Sequence, residues 1–148
     1  MREKHGGILE GQKQKAFKDL AKENNKDIRD FFVKEGESWK DVNSRAKDFL
    51  VNEVINKHLL IKEEEKSGHE SPPVQNMLVV THGGFIMEFL HVVKKFQDQR
   101  YVEVFKNNAK NGCLFVFNLV SKNNKFPTFS IEIDNDAAHM DMTFAQLR

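Results

Sequence analysis

The sequence contains a single cysteine, Cys113, almost balanced charges and no long apolar run. One cysteine excludes an internal disulfide framework and a cysteine-rich zinc site. The 23 Lys and Arg residues against 22 Asp and Glu leave a net charge of +1, which provides no field to draw in nucleic acid. No apolar run approaches the ~20 residues of a membrane span, and the start is unlike a signal peptide. These absences favour a cytoplasmic protein that binds neither nucleic acid nor membrane.

The composition of the chain is typical of a globular protein. Apolar residues make up 39% of the chain, charged residues 30%, and there are 13 phenylalanines, which is enough to build a core. A length of 148 residues suits one domain. We therefore expect a single domain over residues 1–148, with an exposed polar linker at about 63–75 that contains a double proline.

Apolar residues at helical spacing predict helices in the first half of the chain. A helix is expected from Gln12 to Asn25, followed by a further turn or two over Asp27 to Val33. A long helix is expected to begin after Ser38 and to end near Lys62. Ser38 is followed three residues later by an acidic residue, Asp41, which is close to the pattern of a capping box.

The second half of the chain mixes predicted strands with a helix. Met77 to Thr81 is a continuous apolar, β-branched run, which predicts a strand buried on both faces, as in parallel sheets. After two glycines, the spacing of apolar residues from Phe85 to Val93 predicts a helix. Cys113 to Val120 and Phe126 to Asp134 predict a hairpin. The predicted fold class is α/β.

His82 is the most informative candidate, because it ends the predicted strand and precedes a helix N-terminus with two glycines. Ligands bind at that edge of open α/β sheets, and a helix N-terminus favours an anion such as phosphate. His82 would donate a hydrogen bond to a phosphoryl oxygen and, as imidazolium, stabilise developing charge. A buried histidine that caps a turn explains the same spacing equally well.

Four segments of the chain together resemble one known family. They are Glu3 to Gly11, Gly36 to Ser38 with Arg45, Val79 to Gly84, and Asn111 to Val116. In this order they resemble the histidine phosphatase (phosphoglycerate mutase-like) superfamily. Within it the chain is most similar to the TIGAR-type fructose-2,6-bisphosphatases, judged by Arg45 to Phe49 and by the ending Ile133 to Met140. The resemblance implies a three-layer sandwich that is incomplete at the N-terminus, because only the later part of the family domain matches.

The resemblance also implies roles for particular residues. Glu3 corresponds to the general acid that protonates the leaving oxygen, and His82 to the second histidine of the phosphate pocket. Lys4 stands where many relatives carry arginine, which implies a phosphate contact, and Gly83 would lend a backbone N–H to the same anion. A surface lysine and a turn glycine are the simpler interpretations of these two. The nucleophile implied by the family is a histidine in an Arg-His-Gly motif, and His5 is interpreted as a loop residue rather than as that nucleophile.

Two functions remain open from the sequence. The first is a phosphatase that hydrolyses fructose-2,6-bisphosphate or a related small phosphate ester through a phosphohistidine in the complete protein, this chain alone being inactive. The second is a non-catalytic protein that binds a phosphorylated ligand or a partner chain, with self-association favoured by an uncovered apolar sheet edge. No cofactor is expected in either case, and none of His58, His69 and His91 is interpreted as pairing with an Asp or Glu at the helix spacing of a zinc site.

The other conspicuous side chains have structural interpretations. Three histidines are expected to face solvent, namely His58, His69 and His91. Trp39 and Arg45 are interpreted as determinants of the fold, and Cys113 as an inert residue that begins a buried strand.

Overall fold

A computed structural model describes residues 1–59, 76–98, 109–110, 112–120 and 127–141. The α-helices are α1 (Gln14–Glu23), α2 (Trp39–Asp48) and α3 (Gly83–Gln97), and the strands are β1 (Leu114–Val120) and β2 (Thr128–Asp136). Short 3-10 turns lie at Gly7–Leu9 and Ala138–Asp141, and α2 continues as a π-helix over Phe49–Leu59. Helices combined with a small antiparallel sheet agree with the predicted α/β class. Within these ranges, no helix is long and apolar enough to cross a membrane.

Helix α2 begins at the predicted capping box. The Asp41 amide donates to Ser38 Oγ at 3.1 Å, and the Ser38 amide donates to Asp41 Oδ2 at 2.8 Å. The N-terminus of α2 is therefore confirmed. The predicted continuous helix is α-helical only as far as Asp48, after which the backbone widens into the π-helix. Residues 60–62 lie outside the described ranges, as does the predicted linker at 63–75.

The segment between α1 and α2 is not helical. Of the further turn or two predicted over Asp27 to Val33, one turn forms, in which the Phe31 amide donates to the carbonyl of Asp27 at 2.9 Å. The Asp27 carboxylate accepts the amide of Arg29 at 2.7 Å. Such a bond between a side chain and the following backbone favours a turn over continued helix.

The predicted hairpin is confirmed by the antiparallel pairing of β1 with β2. The register pairs Leu119 with Phe129 and Val120 with Thr128, and it becomes irregular near Leu114. The buried side of β2 includes Phe129, which contributes to the main core. Cys113, expected to begin a buried strand, is half-buried and lies just before β1.

The predicted buried strand over Met77 to Thr81 is wrong. Residues 77–80 are all exposed, with Leu78 at 86% and Val80 at 84% of their full accessibility. No strand among the described residues pairs with this segment. An apolar, β-branched run indicates that a segment suits burial, but it does not provide the neighbouring strand that would bury it.

The apolar core forms two clusters. The larger one joins α2, the π-helix, α3 and β2 through Val42, Ala46, Leu50, Ile55, Phe85, Val92, Val93 and Phe129. The smaller one contains Ala21, Phe31 and Val33, with half-buried Phe17 and Leu20 of α1 packed against it. Fully burying one large apolar side chain contributes about 1.5–3 kcal/mol. The larger cluster therefore holds α3, and with it the His82 turn, against α2.

A polar cluster is buried beside this core. Glu88 on α3 has no exposed side-chain surface and accepts a two-pronged contact from Arg29, whose Nη1 and Nη2 lie 3.0 and 2.9 Å from its two oxygens. Asn43 of α2 donates to Glu88 Oε2 at 2.8 Å. His91 is 2% exposed, and its Nδ1 lies 3.7 Å from the same oxygen. The expectation that His91 faces solvent is wrong, because position i+3 from Glu88 lies on the same buried face.

The capping box of α2 makes a measurable contribution to stability. We expect Ser38→Ala to lower the free energy of unfolding by about 1 kcal/mol, because the amide of Asp41 loses its acceptor. That loss corresponds to a fall in Tm of about 3 °C for a chain of this size. Thermal unfolding followed by circular dichroism measures it. Ser44→Ala, at an exposed serine of the same helix, is the matched control, and equal Tm values for the two variants would contradict the prediction.

Candidate functional site

The N-terminal segment is held against the start of α2 by the carboxylate of Glu37. This carboxylate accepts the His5 amide at 2.9 Å and Arg2 Nη2 at 3.0 Å. Arg45, on α2, donates to it from Nε at 2.9 Å and from Nη2 at 3.0 Å. Arg45 Nη1 also reaches the carbonyl of Arg2 at 3.4 Å. Because Glu37 contacts residues on both sides of Glu3, it fixes where Glu3 lies.

Glu37 stays ionised in this environment. Burial alone would raise its pKa, but the His5 amide and the guanidinium groups of Arg45 and Arg2 outweigh that effect, so the pKa of Glu37 lies below its usual range. The interpretation of Arg45 as a determinant of the fold agrees with this contact. The partner, Glu37, was not singled out from the sequence, although it lies eight residues before Arg45.

His82 is positioned by the start of α3. Its backbone is extended (φ −102°, ψ 151°), and its carbonyl accepts the Ile86 amide at 3.0 Å, which opens the helix. Its side chain makes no capping hydrogen bond and is 54% exposed. The alternative of a buried, turn-capping histidine is therefore wrong. The first N–H groups of a helix have no partner within it, so His82 stands beside a set of anion-binding donors.

Glu3 and His82 come together although they are 79 positions apart in the sequence. Glu3 Oε2 lies 3.8 Å from His82 Nδ1, and both side chains are open to solvent. A contact of 3.5 Å between Thr81 Oγ1 and the carbonyl of Met1 lies alongside. The arrangement presents a carboxyl group that can carry a proton next to an imidazole and a helix N-terminus, a combination suited to an anionic substrate that needs a proton donor.

The glycines after His82 permit close packing at this turn. A Cβ atom on Gly83 would lie 3.2 Å from Cβ of Ala109, and one on Gly84 would lie 3.0 Å from the ring of Trp39. Both contacts are tighter than side chains normally make. Close packing therefore explains why both positions are glycine. The phosphate contact of Gly83 stays a prediction.

Lys4 is directed at two aromatic rings. Its Nζ lies 4.9 Å from the ring centroid of Phe17 and 5.8 Å from that of Trp39, which favours a cation–π interaction. Burial lowers the pKa of Lys4 below its usual range, and nearby acidic groups, Glu37 first among them, offset only part of that effect. The structure thus brings Glu3 to His82 but directs the neighbouring side chain of Lys4 at Phe17 and Trp39.

A family model describes this combination of segments. The model of the histidine phosphatase superfamily (branch 1) matches residues 1–129. The chain belongs to this superfamily. Histidine phosphatases generally hydrolyse phosphate esters or act on them as mutases. Neither the curated proteins nor the solved structures yield a match to the chain.

The described part of this superfamily member contains no group of three or more His, Cys, Asp or Glu side chains placed to hold a metal ion. The ionic partners Glu37 and Glu88 are the residues that sequence reasoning missed. The one signal for Glu88 is its position in a helix whose apolar residues, Phe85, Phe89 and Val92, lie on the same face. A carboxylate at such a position requires buried donors.

Removing the charge of Glu37 is expected to release the N-terminal segment of the chain. Glu37→Gln should lower the free energy of unfolding by about 1–2 kcal/mol, because Arg45 and Arg2 lose a charged acceptor. The folded-state pKa of Glu37 is depressed, so its contribution is complete above the unfolded value of about 4.3 and is lost as pH falls through the lower folded value. The variant should therefore lose less stability than the parent chain on acidification.

Two measurements check this expectation. Urea unfolding at several pH values gives the pH dependence, and hydrogen exchange of the His5 amide, which donates to Glu37, should become faster in the variant. Glu35→Gln removes a neighbouring exposed carboxylate and is the control. Identical acid profiles for the parent chain and Glu37→Gln would contradict the role given to this carboxylate.

Proposed function

We propose that this chain provides the general acid and a phosphate-binding histidine of a phosphatase. The observation that carries the proposal is the distance of 3.8 Å between the Glu3 carboxylate and the His82 imidazole, beside the N-terminus of α3. Membership of a superfamily that acts on phosphate esters supports it. Neither residue is buried, so a substrate can reach both from solvent.

Each group has a distinct task in this proposal. His82 donates a hydrogen bond to a phosphoryl oxygen, and the amides of the first turn of α3 add further donors. Glu3, when protonated, gives its proton to the leaving oxygen of the ester. A phosphohistidine would divide hydrolysis into two easier steps. The 148 residues contain no Arg-His-Gly sequence to provide that histidine, so we expect them to bind phosphate esters without turnover.

We propose fructose-2,6-bisphosphate or a related small phosphate ester as the substrate, on the resemblance to TIGAR-type enzymes. The three-layer sandwich and the single domain over residues 1–148 belong to the same proposal. Gly83 is proposed as a backbone contact to the phosphate. Lys4 is proposed as a second contact, a point charge that must leave the rings of Phe17 and Trp39 to reach the anion.

Titration with inorganic phosphate tests the two roles separately. In the chain with ¹³C-labelled histidine, phosphate should shift the ring signals of His82. His82→Ala should weaken phosphate binding at least about tenfold, because a hydrogen bond to a charged group is lost. Glu3→Gln should bind phosphate at least as tightly as the parent chain, because a negative charge beside the anion is removed.

Lys95→Ala is the matched control for charge, since it removes an exposed cation from the other end of α3. Unchanged phosphate affinity in His82→Ala would contradict the proposed site. Phosphate release from fructose-2,6-bisphosphate by this chain, abolished in His82→Ala, would show instead that the 148 residues contain their own nucleophile.

The exposed apolar segment favours a second function, a non-catalytic protein that binds a phosphorylated ligand or a partner chain. Leu78 and Val80 are almost fully exposed, as expected of a surface that another chain covers. Sedimentation equilibrium discriminates here, because self-association through this segment should raise the apparent mass above 17.2 kDa as concentration increases. Leu78→Asp should reverse that increase. A chain that remains monomeric at all concentrations would argue against self-association.

A further inference from the structure

The contact between α2 and α3 combines apolar side chains with two polar contacts: the guanidinium group of Arg45 lies 5.7 Å from the ring centroid of Phe85, and Asn43 donates to the buried Glu88. Val42 and Ala46 of α2 and Leu50 of the π-helix belong to the same buried cluster as Phe85 and Val93 of α3. Apolar contacts are not directional, so they resist separation of two helices better than they resist small rotations or translations. The directional interaction in this region is the buried carboxylate of Glu88.

Glu88 receives donors from two separate parts of the chain. Arg29, in the turn before α2, contacts both carboxylate oxygens, and Asn43 of α2 donates to one of them. A two-pronged guanidinium contact is satisfied in only one orientation of the carboxylate. Burial alone would raise the pKa of Glu88, but the nearby His91 ring, 3.7 Å away, and the hydrogen bonds from Arg29 and Asn43 outweigh burial and lower it, so the carboxylate remains charged.

This contact determines where the start of α3 lies. Glu88 follows His82 by six residues, about 9 Å along the helix axis. Because a helix moves as a rigid unit over that length, rotating or shifting α3 at Glu88 moves His82. The other member of the pair, Glu3, is held near α2 by Glu37 and Arg45. The positions of His82 and Glu3 therefore both depend on α2, through Asn43 and Arg45, which are two residues apart.

We propose that Glu88, held by Arg29 and Asn43, is a positioning residue that fixes the register of α3 so that His82 faces Glu3. The inference rests on the proposed function, since it assigns a purpose to the distance between those two groups. Burying a carboxylate costs desolvation energy, and apolar replacements of buried ion pairs are often no less stable. The presence of this cluster is therefore better explained by the orientation that it imposes on α3 than by a gain in stability.

The experiment measures the position of His82 without relying on phosphate. In the parent chain, Glu3→Gln should shift the ring signals of His82, because the two groups are 3.8 Å apart. In an R29M/N43L/E88L background, the chain should still unfold cooperatively, but the response of His82 to Glu3→Gln should disappear. The Kd for inorganic phosphate should rise about tenfold, because small displacements of a binding group are costly. Glu88→Gln, which keeps the shape, should give a smaller effect in the same direction and is the readout if the triple variant does not fold.

Ala21→Gly is the control for lost stability, since it weakens the smaller core cluster away from α3. It should lower Tm and leave the His82 response intact. A full His82 response and unchanged phosphate affinity in both Glu88 variants would overturn the inference. If the parent chain bound no phosphate while the Glu88 variants still lost the His82 response, the proposed function would fail and the positioning role of Glu88 would stand.

Discussion

The carboxylate of Glu37 holds the N-terminal segment in place, beside the backbone hydrogen bond from the Glu37 amide to the carbonyl of His5 at 2.9 Å. The first five residues form no helix or strand of their own, so backbone hydrogen bonding within the segment does not order them. Glu37 supplies an acceptor for a backbone amide and for two guanidinium groups, 35 residues after Arg2 and eight before Arg45. Charged hydrogen bonds to a carboxylate of low exposure are strong enough to order a segment that has no core of its own. The Glu37 contact places Glu3, and the packing of α3 places His82.

Local features of the fold were predictable because neighbouring residues determine them. The capping box at Ser38 needs only Asp41, and the helix after His82 needs only the spacing from Phe85 to Val93. The hairpin likewise follows from two adjacent β-rich segments. Met77 to Thr81 was misplaced because burial of a strand depends on a partner that the segment does not encode. A side-chain hydrogen bond at Asp27 similarly favours a single turn in the segment that follows it.

The candidate site, too, was predictable only in part. The resemblance pointed to Glu3 and His82, which the fold brings together. The resemblance did not indicate that Lys4 would lie over Phe17 and Trp39, because these two rings belong to separate helices, α1 and α2. The ion pair between Arg29 and Glu88 spans 59 residues and leaves no periodic pattern in the sequence. Long-range ionic contacts of this kind become visible only in three dimensions.

Trp39 is the chain's single tryptophan, and it packs on the turn that follows His82. A Cβ atom placed on Gly84 would lie 3.0 Å from its ring, and the ammonium group of Lys4 lies 5.8 Å from the ring centroid. Indole emission responds to the polarity and charge around the ring. All tryptophan fluorescence of this protein therefore originates beside the candidate site, so the native chain carries its own optical reporter of that turn.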